Sequence, residues 1–205
     1  MNPHIWWYTA RATGIVAWVL ALSSILWGMA LSSRALGPRP KAPWLLDLHR
    51  FLGGLTVLFV FAHIGALMAD SYVNFTPADV LVPFHSHWKP DAVAWGIAAL
   101  YFLVAVEVTS LLRSSIRKGL WKAVHFTSYL VYVLATIHFL AAGTDNGPAS
   151  RVAIIVSLGL VLFFLAYVAV GPGRAASVKR QAAPRRATRA GSTTAARETE
   201  GVGAS

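Results

Sequence analysis

Five long apolar blocks constrain the fold of this 205-residue chain more than any other feature. Each is close to the roughly 20 apolar residues that cross the hydrocarbon core of a bilayer. Only 13% of the residues are charged, about half the usual share in a soluble domain. We therefore predict an all-α integral membrane protein, a bundle of five transmembrane helices. The predicted spans are residues 8–31, 46–68, 92–112, 120–142 and 152–170.

The charges between the blocks predict how the helices are oriented. The first and third connections carry basic residues without acids, and the segment after the fifth block is also mainly basic, whereas acids predominate in the second and fourth connections. Membrane proteins keep such positive charge on the cytoplasmic side. We therefore expect the N-terminus outside, the C-terminus inside and a multi-pass location in the cell membrane. This distribution accounts for the net charge of +10, so the expected partner is the lipid bilayer and not nucleic acid.

Composition divides the chain into two regions. Residues 1–170 form the predicted transmembrane domain, and residues 171–205 are rich in Ala, Arg, Thr, Gly and Ser without apolar periodicity. We expect this basic tail to be disordered and cytoplasmic. The chain has no cysteine, which excludes disulfides, iron–sulfur clusters, c-type haem attachment and thiol catalysis.

Four histidines lie in the second and fourth predicted spans, where an ionisable side chain is costly and needs a reason. His49 and His63 are 14 residues apart, and His125 and His138 are 13 apart. Each spacing corresponds to roughly 20 Å along a helix axis. Because both spans start on the same side, His49 and His125 form a first pair at one depth, and His63 and His138 form a second pair at another. The predicted orientation places the first pair near the inner surface and the second pair near the outer surface.

Two axial imidazoles can hold one haem iron and leave no open position for a substrate. We therefore predict two stacked b-type haems, one in each pair, which carry electrons. Histidines that only bond to neighbouring helices are an alternative, and zinc is possible in principle, although histidines this far apart cannot all join one tetrahedral site. On an ideal helix, the 13-residue spacing leaves the two side chains about 140° apart. The fourth helix is therefore expected to be tilted, distorted or flanked by haem on two sides.

The residues around these histidines form a recognisable pattern. The sequence HRFLG begins at His49 and leads to His63, and Trp121 precedes His125 and His138 in the fourth span. From the first span to the fourth, this pattern resembles the ferric reductase-like transmembrane domain. That family includes metalloreductases, NADPH oxidases and the haem-binding membrane subunit of a bacterial periplasmic methionine-sulfoxide reductase system.

The resemblance implies two bis-histidine b haems and transmembrane electron transfer from a cytoplasmic-side donor to a periplasmic or extracellular acceptor. Ferric reductases and NADPH oxidases continue into flavin and NADPH domains, whereas this sequence has no GxGxxG-like nucleotide loop. The layout is more similar to the methionine-sulfoxide system subunit. We therefore expect an oxidoreductase component that needs a separate partner.

The expected donor is a cytosolic flavin reductase or a membrane quinol, with the flavin or quinone supplied by or shared with that partner. The main alternative is a non-enzymatic, haem-containing anchor subunit of a larger redox complex. A small transporter with a histidine proton relay is a further alternative.

Two arginines are predicted to bind the propionates of the haems. Arg50 lies at the inner surface and Arg11 near the outer one. A guanidinium group binds carboxylates in a bidentate way. An interfacial arginine that extends to the membrane surface is the alternative for each.

Three further polar residues have two interpretations each. Glu107, well inside the third predicted span, relays protons or pairs with Arg50, or it simply hydrogen-bonds within the bundle. His85 and His87, in the second connection, bind a metal substrate, a quinone or a partner, or they belong to a solvated loop.

Overall fold

Helices form all the regular structure of the computed structural model, which describes residues 4–32, 43–143 and 147–170. Five spans are long and apolar enough to cross a membrane within these residues, with α5 and α6 together forming the fourth. The predicted all-α, five-span architecture is therefore confirmed. In chain order the helices are α1 (Ile5–Ser32), α2 (Pro43–Ala69), α3 (Pro77–Leu81), α4 (Pro90–Leu111), α5 (Lys118–Phe126), α6 (Ser128–Ala142) and α7 (Pro148–Val170).

Proline residues determine where several helices begin. The first residues of α2, α3, α4 and α7 are Pro43, Pro77, Pro90 and Pro148. Proline suits the first turn, because its missing N–H would have no acceptor within the helix. As a result, three of the spanning helices start a few residues before the apolar blocks that predict them.

The fourth span is interrupted between its two histidines. At Thr127 the backbone N–H donates to the carbonyl of Val124 at 2.9 Å, three residues back, instead of four. The Thr127 hydroxyl donates to the same carbonyl at 2.6 Å. A turn of this kind has about 3.0 residues instead of about 3.6, so it rotates the following helix beyond the ideal register. This is a local distortion of the kind that the 13-residue spacing requires.

Helices α1, α6 and α7 pack around a buried aromatic cluster. The indole N–H of Trp18 donates to the hydroxyl of Thr136 at 2.9 Å, and the Trp18 ring stacks on that of Tyr132. The hydroxyl of Tyr132, which is 1% exposed, donates to Ser157 at 2.5 Å. Hydrogen bonds between apolar helices add to the van der Waals packing that joins them. Tyr132 therefore connects α7 to the rest of the bundle.

Replacing Tyr132 with phenylalanine is expected to lower the free energy of unfolding by about 0.5–1.5 kcal/mol, the usual range for one interhelical hydrogen bond. The aromatic packing on Trp18 is retained, so the loss reports on the hydroxyl alone. Unfolding in detergent micelles measures the change. Tyr167→Phe on the more exposed part of α7 is the matched control. Equal stability of Tyr132→Phe and the unchanged chain would contradict the role given to this bond.

The outward faces of the helices are apolar. Leu111, Ile155 and Phe163 are large hydrophobic residues with exposed side chains. Exposed apolar side chains on spanning helices, whose backbone polar groups are satisfied internally, are suited to contact with lipid. The multi-pass membrane location is thus confirmed, while the N-out orientation stays a prediction. The basic first connection and the tail from residue 171 lie outside the described residues.

Candidate functional site

Two facing pairs of histidine rings lie inside the bundle. The ring centroids of His49 on α2 and His125 on α5 are 6.0 Å apart, with an angle of 77° between the planes. The centroids of His63 on α2 and His138 on α6 are 6.3 Å apart, at 81°. The structure thus brings together the residues of the first pair and of the second pair. Their role as ligands stays a prediction.

The distance between ring centres in each pair matches that expected for two imidazoles that bind one metal ion. Metal–imidazole bonds of about 2.0–2.1 Å, plus roughly 1.1 Å from each nitrogen to its ring centre, separate the ring centres of ligands on opposite sides of one ion by about 6.3 Å. No group of three or more His, Cys, Asp or Glu side chains in the described part of the chain is arranged to hold a metal. An ion between two imidazoles needs its other ligands from elsewhere, and a porphyrin supplies four. The donor set therefore fits haem.

Three of the four imidazoles are held by a backbone carbonyl of a neighbouring helix. The Nδ1–H donors and their acceptors are His63 to Ala10 at 2.7 Å, His138 to Ala92 at 2.7 Å, and His49 to Ser24 at 3.1 Å. A carbonyl only accepts, so Nδ1 carries the proton in each case. The lone pair of the neutral ring is then on Nε2, the arrangement usual in histidine ligands of metals.

A glycine lies against each of these three rings. A Cβ added at Gly14 would lie 3.0 Å from His63 Nδ1, at Gly28 3.1 Å from His49 Cε1, and at Gly96 2.8 Å from His138 Nδ1. Each glycine stands four residues after the residue whose carbonyl accepts the hydrogen bond. One helical turn therefore provides both the acceptor and the space for the ring.

The register between α1 and α2 connects the two depths. Gly14 and Gly28 are 14 residues apart, as are His49 and His63. Gly14, near the start of α1, contacts His63 near the end of α2, and Gly28 contacts His49 near the start of α2. The two helices are thus antiparallel, and the same register holds at both depths. This repeated spacing is visible in the sequence, and it could have identified the two glycines.

The glycines of α2, which carries His49 and His63, have other surroundings. Gly54 and Gly65 have no neighbouring atom within 4 Å of an added Cβ. A Cβ at Gly53 would lie 2.8 Å from the carboxylate of Glu107. Glu107 therefore packs on α2, one helical turn beyond His49. Arg50, which was considered as its partner, is paired with Asp47 instead.

His125 is the exception among the four histidines. Its Nδ1 is buried and has no hydrogen-bond partner among the described residues, and the same holds for the indole nitrogen of Trp121 and the hydroxyl of Ser110. The rings of Trp121 and His125 are stacked at 5.0 Å, and the guanidinium of Arg113 lies 4.5 Å over the indole. Stacking rather than a hydrogen bond to the backbone orients this imidazole.

An apolar cavity surrounds the second pair. His63 and His138 line it. Gly14 and Gly96 form part of its wall, and Arg11 also lines it. An apolar cavity with few polar groups is typical of a cofactor site. The position of Arg11 is compatible with the predicted contact to a propionate.

Arg50 lies at the end of the bundle that contains the first pair. Its side chain is exposed, and it donates to the carboxylate of Asp47 at 3.3 Å. An exposed ion pair of this kind contributes little to stability, so Arg50 can exchange partners at low cost. Its predicted propionate contact therefore stays a prediction.

The fold and the two ring pairs define a class of protein: a multi-pass membrane protein with paired, partly buried histidines at two depths between its helices. The family model described as "Ferric reductase like transmembrane component" matches residues 13–136. The chain belongs to this family, whose domains generally bind haem and indicate transmembrane electron transfer. The match contains three of the four histidines, and His138 lies just beyond it. No curated protein and no solved structure matches the chain.

Proposed function

We propose that this protein carries electrons across a membrane through two b-type haems, one held by the first pair and one by the second. The observation that carries the proposal is the separation of the ring centres at both depths, 6.0 and 6.3 Å, which matches two imidazoles bound to one metal ion. Family membership supports electron transfer as the general function.

The haem iron would supply a one-electron couple at each depth. The rest is done by the residues of the chain. Backbone carbonyls hold Nδ1–H and so direct Nε2 of three histidines to the ligand position. The apolar lining around the second pair would disfavour water beside the haem, and Arg11 and Arg50 would bind the propionates. Since two histidines would hold each haem, the group would supply electron transfer without a bond between the acceptor and the metal.

The direction of transfer follows from the predicted orientation. The donor acts on the first-pair side, as a cytosolic flavin reductase or a membrane quinol, so a flavin or quinone belongs to the donor or is shared with it. A periplasmic or extracellular acceptor receives the electrons on the second-pair side of the cell membrane. In this arrangement the chain is the membrane component of an oxidoreductase.

Proteoliposomes that contain the full chain and enclose ferricyanide test the proposal. Dithionite added outside is expected to reduce the enclosed ferricyanide through the haem-loaded protein. The single variants His49→Ala and His63→Ala are each expected to reduce transfer to the level of empty vesicles, because removing either haem lengthens the electron path to about a helix span. His4→Ala, a histidine outside the spans, is the control for the loss of an imidazole as such.

Two outcomes would contradict the proposal. One is a purified protein without a b-type difference spectrum, and the other is full transfer in both variants. A haem-containing anchor subunit without electron flow would retain the spectrum and leave the enclosed ferricyanide oxidised, so the same vesicles distinguish the two functions.

A further inference from the structure

The connection between α2 and α4 folds over the cavity of the second pair. Its residues Phe75, Val80 and Trp88 line the cavity. The same side chains pack with Val93 and Ile97 of α4 in a small apolar cluster. The connection is therefore fixed on the bundle, and its surface side chains have a defined position beside the cavity.

A buried carboxylate organises this connection. Asp79 accepts hydrogen bonds from the backbone N–H of Thr76 at 2.8 Å and from its hydroxyl at 2.7 Å. It also accepts from Nδ1 of His85 at 3.0 Å. Asp79 therefore faces His85 as a hydrogen-bond acceptor that the bonds from Thr76 hold in position.

The bond to Asp79 prepares His85 as a metal ligand. Its Nδ1–H is directed at the carboxylate, so the lone pair of the neutral ring is on Nε2. The side chain of His85 is 48% exposed, whereas that of Asp79 is 5% exposed. A histidine that ligates a metal almost always donates its other N–H to such a group, which also increases the basicity of the ligating nitrogen.

A second exposed imidazole lies beside the first. The ring centroids of His85 and His87 are 6.2 Å apart, close to the separations in the first and second pairs. The intervening Ser86 is buried, and its hydroxyl donates to the carbonyl of Trp88 and accepts from the Trp88 N–H. Phe84, at φ 64°, adopts the left-handed conformation just before His85. Residues other than glycine rarely adopt this backbone conformation without a structural or functional reason.

We propose that His85 and His87 bind one divalent transition-metal ion, and that Asp79 acts as the positioning residue behind His85. Imidazole nitrogen suits Cu²⁺, Ni²⁺ and Zn²⁺ more than the hard cations Mg²⁺ and Ca²⁺. Two protein ligands leave the other positions to water or a chelating ligand, unlike the four protein ligands of a closed structural site. The bound ion is therefore exchangeable, and it lies on the loop that covers the second pair.

Cu²⁺ titrated into the oxidised, haem-loaded full chain, purified without a polyhistidine tag, tests this proposal. We expect one equivalent to bind, with an electron paramagnetic resonance spectrum that shows coupling to imidazole nitrogens. His85→Ala and His87→Ala are each expected to abolish this coupling pattern. Asp79→Asn removes the charge and one of the two acceptor oxygens behind the ligand, and it is expected to weaken binding about 10–100-fold.

Two controls separate binding from folding and from the haems. His4→Ala, outside the loop, is expected to bind Cu²⁺ as the unchanged chain does. The haem spectrum of each variant shows whether the bundle is intact, because neither His85 nor His87 belongs to the histidine pairs. A double variant His85→Ala/His87→Ala that keeps the haem spectrum and still binds Cu²⁺ with the original signal would overturn the proposal. Absence of stoichiometric binding to the unchanged chain would also overturn it, whatever the result for electron transfer.

Discussion

The His138→Ala variant is expected to bind one haem, where two are expected in the unchanged chain. The second pair would lose one of its two proposed haem ligands and keep His63 alone. The first pair, roughly 20 Å away along the helix axis, keeps both imidazoles. The pyridine haemochrome spectrum of the purified variant counts the haems, and His125→Ala is expected to remove the other haem in the same measurement.

A second substitution at the same position separates ligand loss from misfolding. His138→Gly leaves a cavity beside Gly96 and keeps the carbonyl of Ala92, the acceptor of the original Nδ1–H bond. Added imidazole can donate to this carbonyl and occupy the ligand position, so it is expected to restore the second haem. Two haems with an unchanged spectrum in His138→Ala, before any imidazole is added, would contradict the assignment of this residue.

The spans could be predicted because their signal is local. Each apolar block is long enough to identify a spanning helix without knowledge of its neighbours, and the structure changes only the ends. Pro43 and Pro90, for example, begin helices before the apolar residues do. The pairing of the histidines by depth needed one further step, the alternation of charge between connections, which made the second and fourth spans parallel.

The surroundings of the histidines were harder to predict, because they depend on the register between helices. Gly14 and Gly28 contact rings on another helix, and in the sequence only their 14-residue spacing, equal to that of His49 and His63, distinguishes them from glycines without a contact, such as Gly54. The 13-residue spacing predicted a distortion of the fourth helix but not its position. Spacing along one helix shows that the two histidines lie on different faces, but not at which residue the backbone departs from the α-helix, which is Thr127.

The Asp79–His85 contact illustrates the same limit in a connection. Two histidines in a polar segment are compatible with incidental surface residues. The capping box of α3, in which Thr76 and Asp79 hold each other, orients the carboxylate toward His85. The sequence pattern predicts a helix start there at best, and the return of the chain to place His85 on Asp79 depends on the left-handed residue Phe84.

Substitution of the two α1 glycines is expected to remove different haems. A valine at Gly14 places its Cβ 3.0 Å from Nδ1 of His63, so the ring must move, which is expected to weaken its bond to the carbonyl of Ala10. A valine at Gly28 places its Cβ 3.1 Å from Cε1 of His49 in the same way. Gly14→Val is therefore expected to lose the second-pair haem, and Gly28→Val the first-pair haem.

The spectra of His138→Ala and His125→Ala provide the reference for which haem each glycine variant has lost. Gly159→Val on α7 is the matched control, because it makes the same change in a spanning helix where an added Cβ meets no atom within 4 Å. This variant is expected to keep both haems. If Gly14→Val and Gly28→Val lost the same haem, the antiparallel register between α1 and α2 would not determine the two depths. If both kept two haems, close contact between glycine and imidazole would not be what positions the ligands.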